Sequence, residues 1–314
     1  MPAEVFGPDF AFLPRAELLT FEELEAVARE LVALGARTFR ITGGEPLVRR
    51  NVERLVALLR ALDESEELQG ERLDLALTTN GSLLAALAAP LRNAGLDRIT
   101  ISLDSLNEAT FSRMSGSAIP LAKVLEGISA AAVAGFANIK LNAVVRRGIN
   151  DQDVLALATY AREGGHTLRL IEYMDVGSSN GWRLDEVVPA SEILAQIHAH
   201  YPLEPLPASR PGEVANRYRY LDGRGEIGLI ASVSAPFCAD CTRARVSADG
   251  QLYTCLFASE GIDLKRYLRP IASPEALREG LRSRWAARDD RYSELRDAET
   301  TSRLPKVEMF RVGG

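Results

Sequence analysis

At 314 residues and 46% hydrophobic content, the chain can bury one large core with an appendage, or two modest cores. Its formal net charge of −6 argues against a general nucleic-acid binder and leaves room only for a local basic pocket. No run of about 18 apolar residues occurs, and the start MPAEVFGPDFAF lacks the basic head and apolar stretch of a signal peptide, so no membrane contact and a cytoplasmic location are expected.

Residues 1–16 are irregular, with Pro2, Pro8 and Pro14 as breakers. Thr20 and Glu23 have capping-box spacing, and they open a helix that Gly35 closes. TFRIT at 38–42 reads as a buried strand. The pattern then repeats: helix 50–62 and strand 73–78, helix 83–94 and strand 97–103, helix 120–135 and strand 138–145, helix 151–164 and strand 167–173. Strands alternating with helices of this length predict right-handed βαβ units and a parallel sheet. The even recurrence, with no phosphate-binding glycine fingerprint after the first strand, favours a barrel or partial barrel over a doubly wound sheet. From about residue 175 the rhythm changes. GSSNGWR reads as a loop, 191–201 as a helix, 205–216 as a Pro-rich connection, 217–232 and 244–254 as strands, and 263–268 and 273–287 as helices. The expected division is 1–175 and 176–314.

A packed barrel interior is normally apolar, yet several of these strands carry polar residues at every second position. Thr38, Arg40 and Thr42 share one face, as do Thr100, Ser102 and Asp104, then Asn138, Lys140 and Asn142, then Thr167, Arg169 and Ile171. The other face must pack on helices, so the polar face looks inward and Arg40, Lys140 and Arg169 converge. Buried unpaired charges cost several kcal/mol, roughly, so these cations need an anion. Phosphate suits the arginine fork. Internal ion pairs with Glu45, Asp104 or Glu172 are the alternative. At the strand ends lie GGEP (43–46), TTNG (78–81) and SLD (102–104), polar segments on the rim where barrel sites form. Gly43 and Gly44 let backbone carbonyls come close to a ligand ammonium.

All three cysteines fall within 18 residues, as C-x2-C-x13-C at Cys238, Cys241 and Cys255. Thiolates at this spacing suit zinc or an iron–sulfur cluster. Structural zinc wants four ligands, and none of His166, His198 and His200 is close in sequence, so a cluster with one open iron is favoured. Zinc with a carboxylate or a distant histidine, or three unconnected cysteines, remain alternatives. Arg243 and Arg245 follow at once in CTRAR and could hold phosphate beside the metal.

Together these segments resemble the GTP 3′,8-cyclase family of radical S-adenosylmethionine enzymes, which open molybdenum cofactor biosynthesis. The resemblance runs through FRITGGEPLVRR (39–50), LALTTNG (75–81), ITISLDSLN (99–107), NIKLNAVV (138–145), LRLIEYMDVG (168–177), PFCADCTRAR (236–245), LYTCLF (252–257) and the terminal Gly313 and Gly314. It implies a partial (β/α)6 TIM-type barrel lacking its first strand, with a C-terminal iron–sulfur extension. It implies S-adenosylmethionine contacts at Gly44, Ser102 and Met174, and GTP contacts at Arg40, Thr78, Lys140, Arg169, Arg243, Ala244 and Arg245. Cys238, Cys241 and Cys255 would hold a 4Fe-4S cluster whose open iron meets guanine, and Gly313 and Gly314 would enter the active site. Implied partners are a flavodoxin or ferredoxin reductant, the downstream cyclic pyranopterin monophosphate synthase and a second copy of the chain. The family's C-x3-C-x2-C motif for a first cluster has no counterpart here. The chain is therefore expected to start just after it, and these 314 residues alone are expected to form an inactive GTP- and cluster-binding module of a cyclase. Another radical S-adenosylmethionine enzyme with an auxiliary cluster is the remaining alternative. A lysine is common in the family where Thr38 stands.

Overall fold

A computed structural model describes residues 13–176, 181–238, 241–296 and 307. Chain order begins α1 (Phe21–Ala33), β1 (Thr38–Ile41), α2 (Val52–Ala61), β2 (Asp74–Thr79), α3 (Leu84–Asn93), β3 (Arg98–Ser102). It continues α4 (Glu108–Ser115), α5 (Leu121–Val133), β4 (Lys140–Val145), α6 (Val154–Glu163), β5 (Thr167–Glu172). The capping box on α1 forms in both directions. Glu23 N–H donates to the Thr20 hydroxyl at 3.1 Å, and Thr20 N–H donates to the Glu23 carboxylate at 2.8 Å. Helix α4 lies outside the expected pattern, although its signals were local. The Asn107 side chain accepts from Ala109 N–H and Thr110 N–H, and Gly116 ends the helix in the left-handed region at φ 57°.

Beyond β5 come α7 (Ala190–His198), β6 (Leu203–Leu206), β7 (Asn216–Tyr220) and β8 (Glu226–Ile230). The sheet runs β1-β2-β3-β4-β5-β8-β7-β6. Strands β1 to β5 are mutually parallel, and β8 continues the parallel set against β5 before turning antiparallel to β7. Strand β6 occupies part of what reads as a Pro-rich connection, because Pro205 sits on an edge strand where its missing N–H is not needed. Asn138 corrects the expected face assignment. It lies outside β4 with φ 52°, a left-handed conformation that asparagine tolerates, so the polar stripe on that strand begins at Lys140.

The face of the sheet that meets the helices is closed and apolar. Leu75, Leu77, Ile99, Ile101, Leu141, Ala143, Leu168, Leu170, Ile227 and Leu229 are all buried there, in one core with the inner sides of α2, α3, α5 and α6. The opposite face is polar, as the alternation predicts. The two ends of the sheet come back towards each other: Arg210, in the β6–β7 loop, brings Nη1 within 3.4 Å of the Thr38 hydroxyl on β1.

A second layer is formed by β9 (Arg245–Val246), β10 (Gln251–Tyr253), β11 (Ile262–Asp263), α8 (Lys265–Leu268) and α9 (Pro274–Ala286). It docks on α1 through Leu19, Val27, Leu252, Leu264, Leu268, Leu277 and Leu281. Arg269 clamps the contact, donating to the Glu23 carboxylate and to the Ala16 and Leu18 carbonyls. No helix among the described residues is long and apolar enough to cross a membrane.

Candidate active site

Strand register fixes which side chains share the polar face. Thr78 stands beside Thr100, Thr100 beside Lys140, Ser102 beside Asn142 and Asn142 beside Arg169. Arg40 reaches across from β1, donating from Nη1 to the Thr78 hydroxyl at 2.8 Å and to the Thr100 hydroxyl at 3.2 Å. Among the described residues, Arg40, Lys140 and Arg169 make no ion pair with a carboxylate within 4.0 Å. Their neighbour Arg98 is neutralised, with both its Nε and Nη2 on the Asp74 carboxylate.

The three unpaired cations repel one another inside the protein. Desolvation first, then Arg169, Arg98 and Arg210, lower the Arg40 pKa to about 10. Desolvation, then Arg169, Arg98 and Arg40, lower Lys140 to about 8. Arg169 is lowered too, chiefly by desolvation, with Glu213 opposing. Arg40 is largely enclosed by protein, yet the residue keeps an exposed share on the polar side of the sheet.

The internal-ion-pair alternative does not hold, because each carboxylate is used elsewhere. Glu45 accepts from the Thr79 hydroxyl at 2.6 Å, Asn80 N–H at 2.7 Å and Leu47 N–H at 3.0 Å, so it joins GGEP to TTNG. Buried Glu172 accepts from Ala190 N–H, Val233 N–H, Ser234 N–H and the Ser234 hydroxyl, pinning β5 to α7 and to the exit of β8. Asp104 accepts from Val144 N–H at 2.8 Å, and burial, opposed by that bond, raises its pKa to about 6. Gly43, at φ 148°, takes a conformation costly for any residue with a side chain, and the space where a Cβ would point is open. Gly44, Ser102 and Met174 all lie at strand ends on this rim, Ser102 and Met174 partly exposed.

Cys238, Cys241 and Cys255 are each half-buried and unlinked by disulfides. Cys241 N–H donates to the Cys238 carbonyl at 3.2 Å, closing the C-x2-C turn. Desolvation raises Cys255, and Asp290 and Cys238 add to it while Phe257 N–H and Arg245 oppose. Cys241 goes the other way: desolvation works against its thiolate, but Arg243 and Arg288 outweigh it. Arg243 donates Nε–H to the Cys241 sulfur at 3.4 Å and lies over the Phe237 ring. Arg245, lowered to about 10 by desolvation and Arg243, feels the charges of Cys241 and Cys255. Ala244 between them is exposed. Among the described residues no three His, Cys, Asp or Glu side chains are assembled to hold a metal ion. The donor set is three thiols with three arginines, Arg243, Arg245 and Arg288, against them, which suits an anionic thiolate cluster.

Four residues with no local signal join the two regions. Asp175, just beyond β5 and buried, accepts from the Tyr292 hydroxyl at 2.6 Å and pairs with Arg296 at 2.8 Å. Arg296 lies over the Phe257 ring, which stacks on Tyr292 with centroids 4.5 Å apart. Phe257 is two residues past Cys255, so this node ties the cysteine loop to the end of β5. Val307 N–H donates to the Ala258 carbonyl at 3.1 Å beside the same loop. Gly313 and Gly314 lie outside the described residues.

The Radical SAM superfamily profile matches residues 6–161, and the Molybdenum Cofactor Synthesis C profile matches 166–294. A curated relative from Acidothermus cellulolyticus, "GTP 3′,8-cyclase", is 54% identical across 100% of this chain and 91% of its own length. The chain belongs to the GTP 3′,8-cyclase family. A relative of the same name from Xanthomonas axonopodis is 51% identical, and one from Staphylococcus haemolyticus 42%, each across 100% of this chain and 91% of the relative. The solved structure "Native anSMEcpe with bound AdoMet" shares the fold at TM-score 0.52 and 15% identity, covering 78% of this chain and 70% of that one. Arg40 and Lys140 fall within the first matched region, and Arg169 and the cysteine loop within the second.

Proposed function

We infer that the chain is built for the GTP 3′,8-cyclase reaction, which closes a bond between ribose C3′ and guanine C8 of GTP in molybdenum cofactor synthesis. These residues, whose three cysteines are all taken up by one cluster, supply its GTP- and cluster-binding part. The observation that carries this reading is the convergence of three carboxylate-free cations on one sheet face, in a chain whose curated relatives all along its length are named GTP 3′,8-cyclase. When bound, 4Fe-4S clusters and S-adenosylmethionine supply the radical chemistry that no side chain here can supply.

The chain's own residues bind and orient. Arg40, Lys140 and Arg169 take the triphosphate, whose charge relieves their mutual repulsion, and Thr78 holds the Arg40 fork in place. Gly44, Ser102 and Met174, on the rim, line the S-adenosylmethionine side. Cys238, Cys241 and Cys255 hold one cluster on the guanine side, with Arg243, Ala244 and Arg245 against the nucleotide. Gly313 and Gly314 complete the site from the tail. Seven residues beyond Val307 span up to about 25 Å, enough chain for that role. The parallel strands β1 to β5, extended by β8, read as part of a TIM-type barrel whose curled polar face shields the reacting nucleotide from water. Residues 1–175 supply the phosphate and S-adenosylmethionine sides, and 176–314 the cluster side. A flavodoxin or ferredoxin would deliver electrons, cyclic pyranopterin monophosphate synthase would take the product, and a second copy of the chain would form a dimer.

Calorimetric titration of the anaerobically reconstituted protein with GTP and ATP tests the reading. GTP is expected to bind more tightly than ATP, and only when the cluster is present. Equal binding of the two, or GTP binding indifferent to iron removal, would overturn it. Failure of GTP to bind while another substrate does would point to a different radical S-adenosylmethionine enzyme.

A further inference from the structure

The β6–β7 loop belongs to neither set of residues above, yet it closes over the cationic face. Its tip is an Arg210–Glu213 turn, with Glu213 N–H donating to the Arg210 carbonyl at 3.3 Å. The Glu213 carboxylate accepts from Ser209 N–H at 2.6 Å and from the Ser209 hydroxyl at 2.9 Å. The descending limb buries Ala215 against β8. A Cβ placed on Gly228 would meet the Ala215 Cβ at 3.1 Å and the Arg169 Cγ at 3.4 Å, so the loop and the Arg169 stem share the space that this glycine leaves. From this braced turn Arg210 extends to the far edge of the sheet and donates to the Thr38 hydroxyl at 3.4 Å. Thr38 in turn donates to Asp74, at 3.4 Å. Arg210 makes no carboxylate ion pair among the described residues and is exposed, whereas Arg98 beside it is held by Asp74.

We propose that Arg210 is a further substrate-binding residue, closing the phosphate end of the nucleotide site and contacting the terminal phosphate of the triphosphate. This rests on the reading of the polar face as the GTP site. Arg210 is electrostatically coupled to Arg40, Arg169 and Asp74, so it stands at the same end of that face as the other cations. An exposed arginine on a braced loop can meet an incoming phosphate without prior desolvation, and its fork can bind two phosphate oxygens. Its hydrogen bond to Thr38 is long and replaceable, so that contact is a resting position for the side chain.

Affinities of Arg210→Ala, Arg210→Glu and Arg210→Lys for GTP, GDP and guanosine test the proposal, with Arg40→Ala and Lys140→Ala alongside. Arg210→Ala should weaken GTP binding about tenfold, GDP less and guanosine not at all. Arg210→Glu should weaken GTP further, and Arg210→Lys should recover part of the loss. Because Arg210 is exposed, melting temperatures should not move. GTP affinity unchanged in Arg210→Ala and Arg210→Glu, while Arg40→Ala and Lys140→Ala are weakened, would overturn this proposal alone. An equal loss for guanosine would do the same. No GTP binding by the wild-type chain, or no effect of any of these variants, would overturn the GTP-site reading and this inference with it.

Discussion

The Arg40 guanidinium donates a 2.8 Å hydrogen bond to the Thr78 hydroxyl, although the two residues lie 38 positions apart on adjacent strands. That contact aims a cation with no carboxylate partner at the open polar face. Arg40→Ala is therefore expected to weaken GTP binding by about 2 kcal/mol, and Thr78→Val by about 1 kcal/mol through loss of aim alone. Titration calorimetry of both variants checks the order; a larger effect at Thr78 than at Arg40 would contradict it.

Lys140 gives the same site a pH dependence. Its pKa in the free protein is pulled down to about 8, and a bound triphosphate must raise it again. Binding then takes up a proton above that pH, so GTP affinity is highest below about pH 8 and falls as the pH rises through it. Lys140→Arg keeps its charge and should flatten the profile between pH 7 and pH 9. A wild-type affinity that does not change over that range would rule out Lys140 as a phosphate ligand.

Asp104 has the opposite shift. Its folded pKa of about 6 lies above the ordinary 3.8 because the carboxyl is enclosed. Between about pH 4 and pH 6 the unfolded chain holds fewer protons here than the folded one, so this group's contribution to stability falls as the pH rises. Asp104→Asn keeps an acceptor for Val144 N–H and loses the charge. Denaturation curves should show the variant gaining on the wild type by about 2 kcal/mol from pH 4 to pH 7. A gap between the two that stays constant with pH would show that the carboxyl ionises freely.

Glu172 is a joint between segments. Its two oxygens serve α7 and the turn after β8 at once. Glu172→Ala should destabilise the fold by about 3 kcal/mol, because it leaves buried N–H groups without acceptors. Glu172→Gln should cost less. Urea denaturation of the pair reads the difference, and near-wild-type stability of the alanine variant would show that the joint is dispensable.

The cysteine site makes a compositional prediction. Anaerobic reconstitution should load about four iron and four sulfide on Cys238, Cys241 and Cys255, and replacing any one by serine should remove most of the cluster's visible absorbance. Stoichiometric zinc without sulfide would refute the cluster.

Much of this was local enough to be legible in the chain. The period-2 alternation of ITISLD and TLRLIE assigns one face of each strand to the helices and the other to the polar side of the sheet, and the structure keeps that facing at Thr100, Ser102 and Arg169. The Thr20–Glu23 capping box is equally local. Asn138, just ahead of β4, marks the limit, because one left-handed residue ends an alternation that its letters continue.

What only the tertiary structure decided concerns partners far apart in sequence. Glu45, Asp104 and Glu172 look like counter-ions to the cations until the fold spends their lone pairs on Asn80, Val144 and Val233 N–H groups. The parallel place of β8 beside β5, the Asp175–Arg296 pair under the Phe257 ring and the approach of Arg210 to Thr38 are likewise non-local. Side-chain period determines which way a residue faces, because it is set by backbone geometry one residue at a time. Which group stands opposite depends on how the whole sheet curls, and that is a property of the packed core.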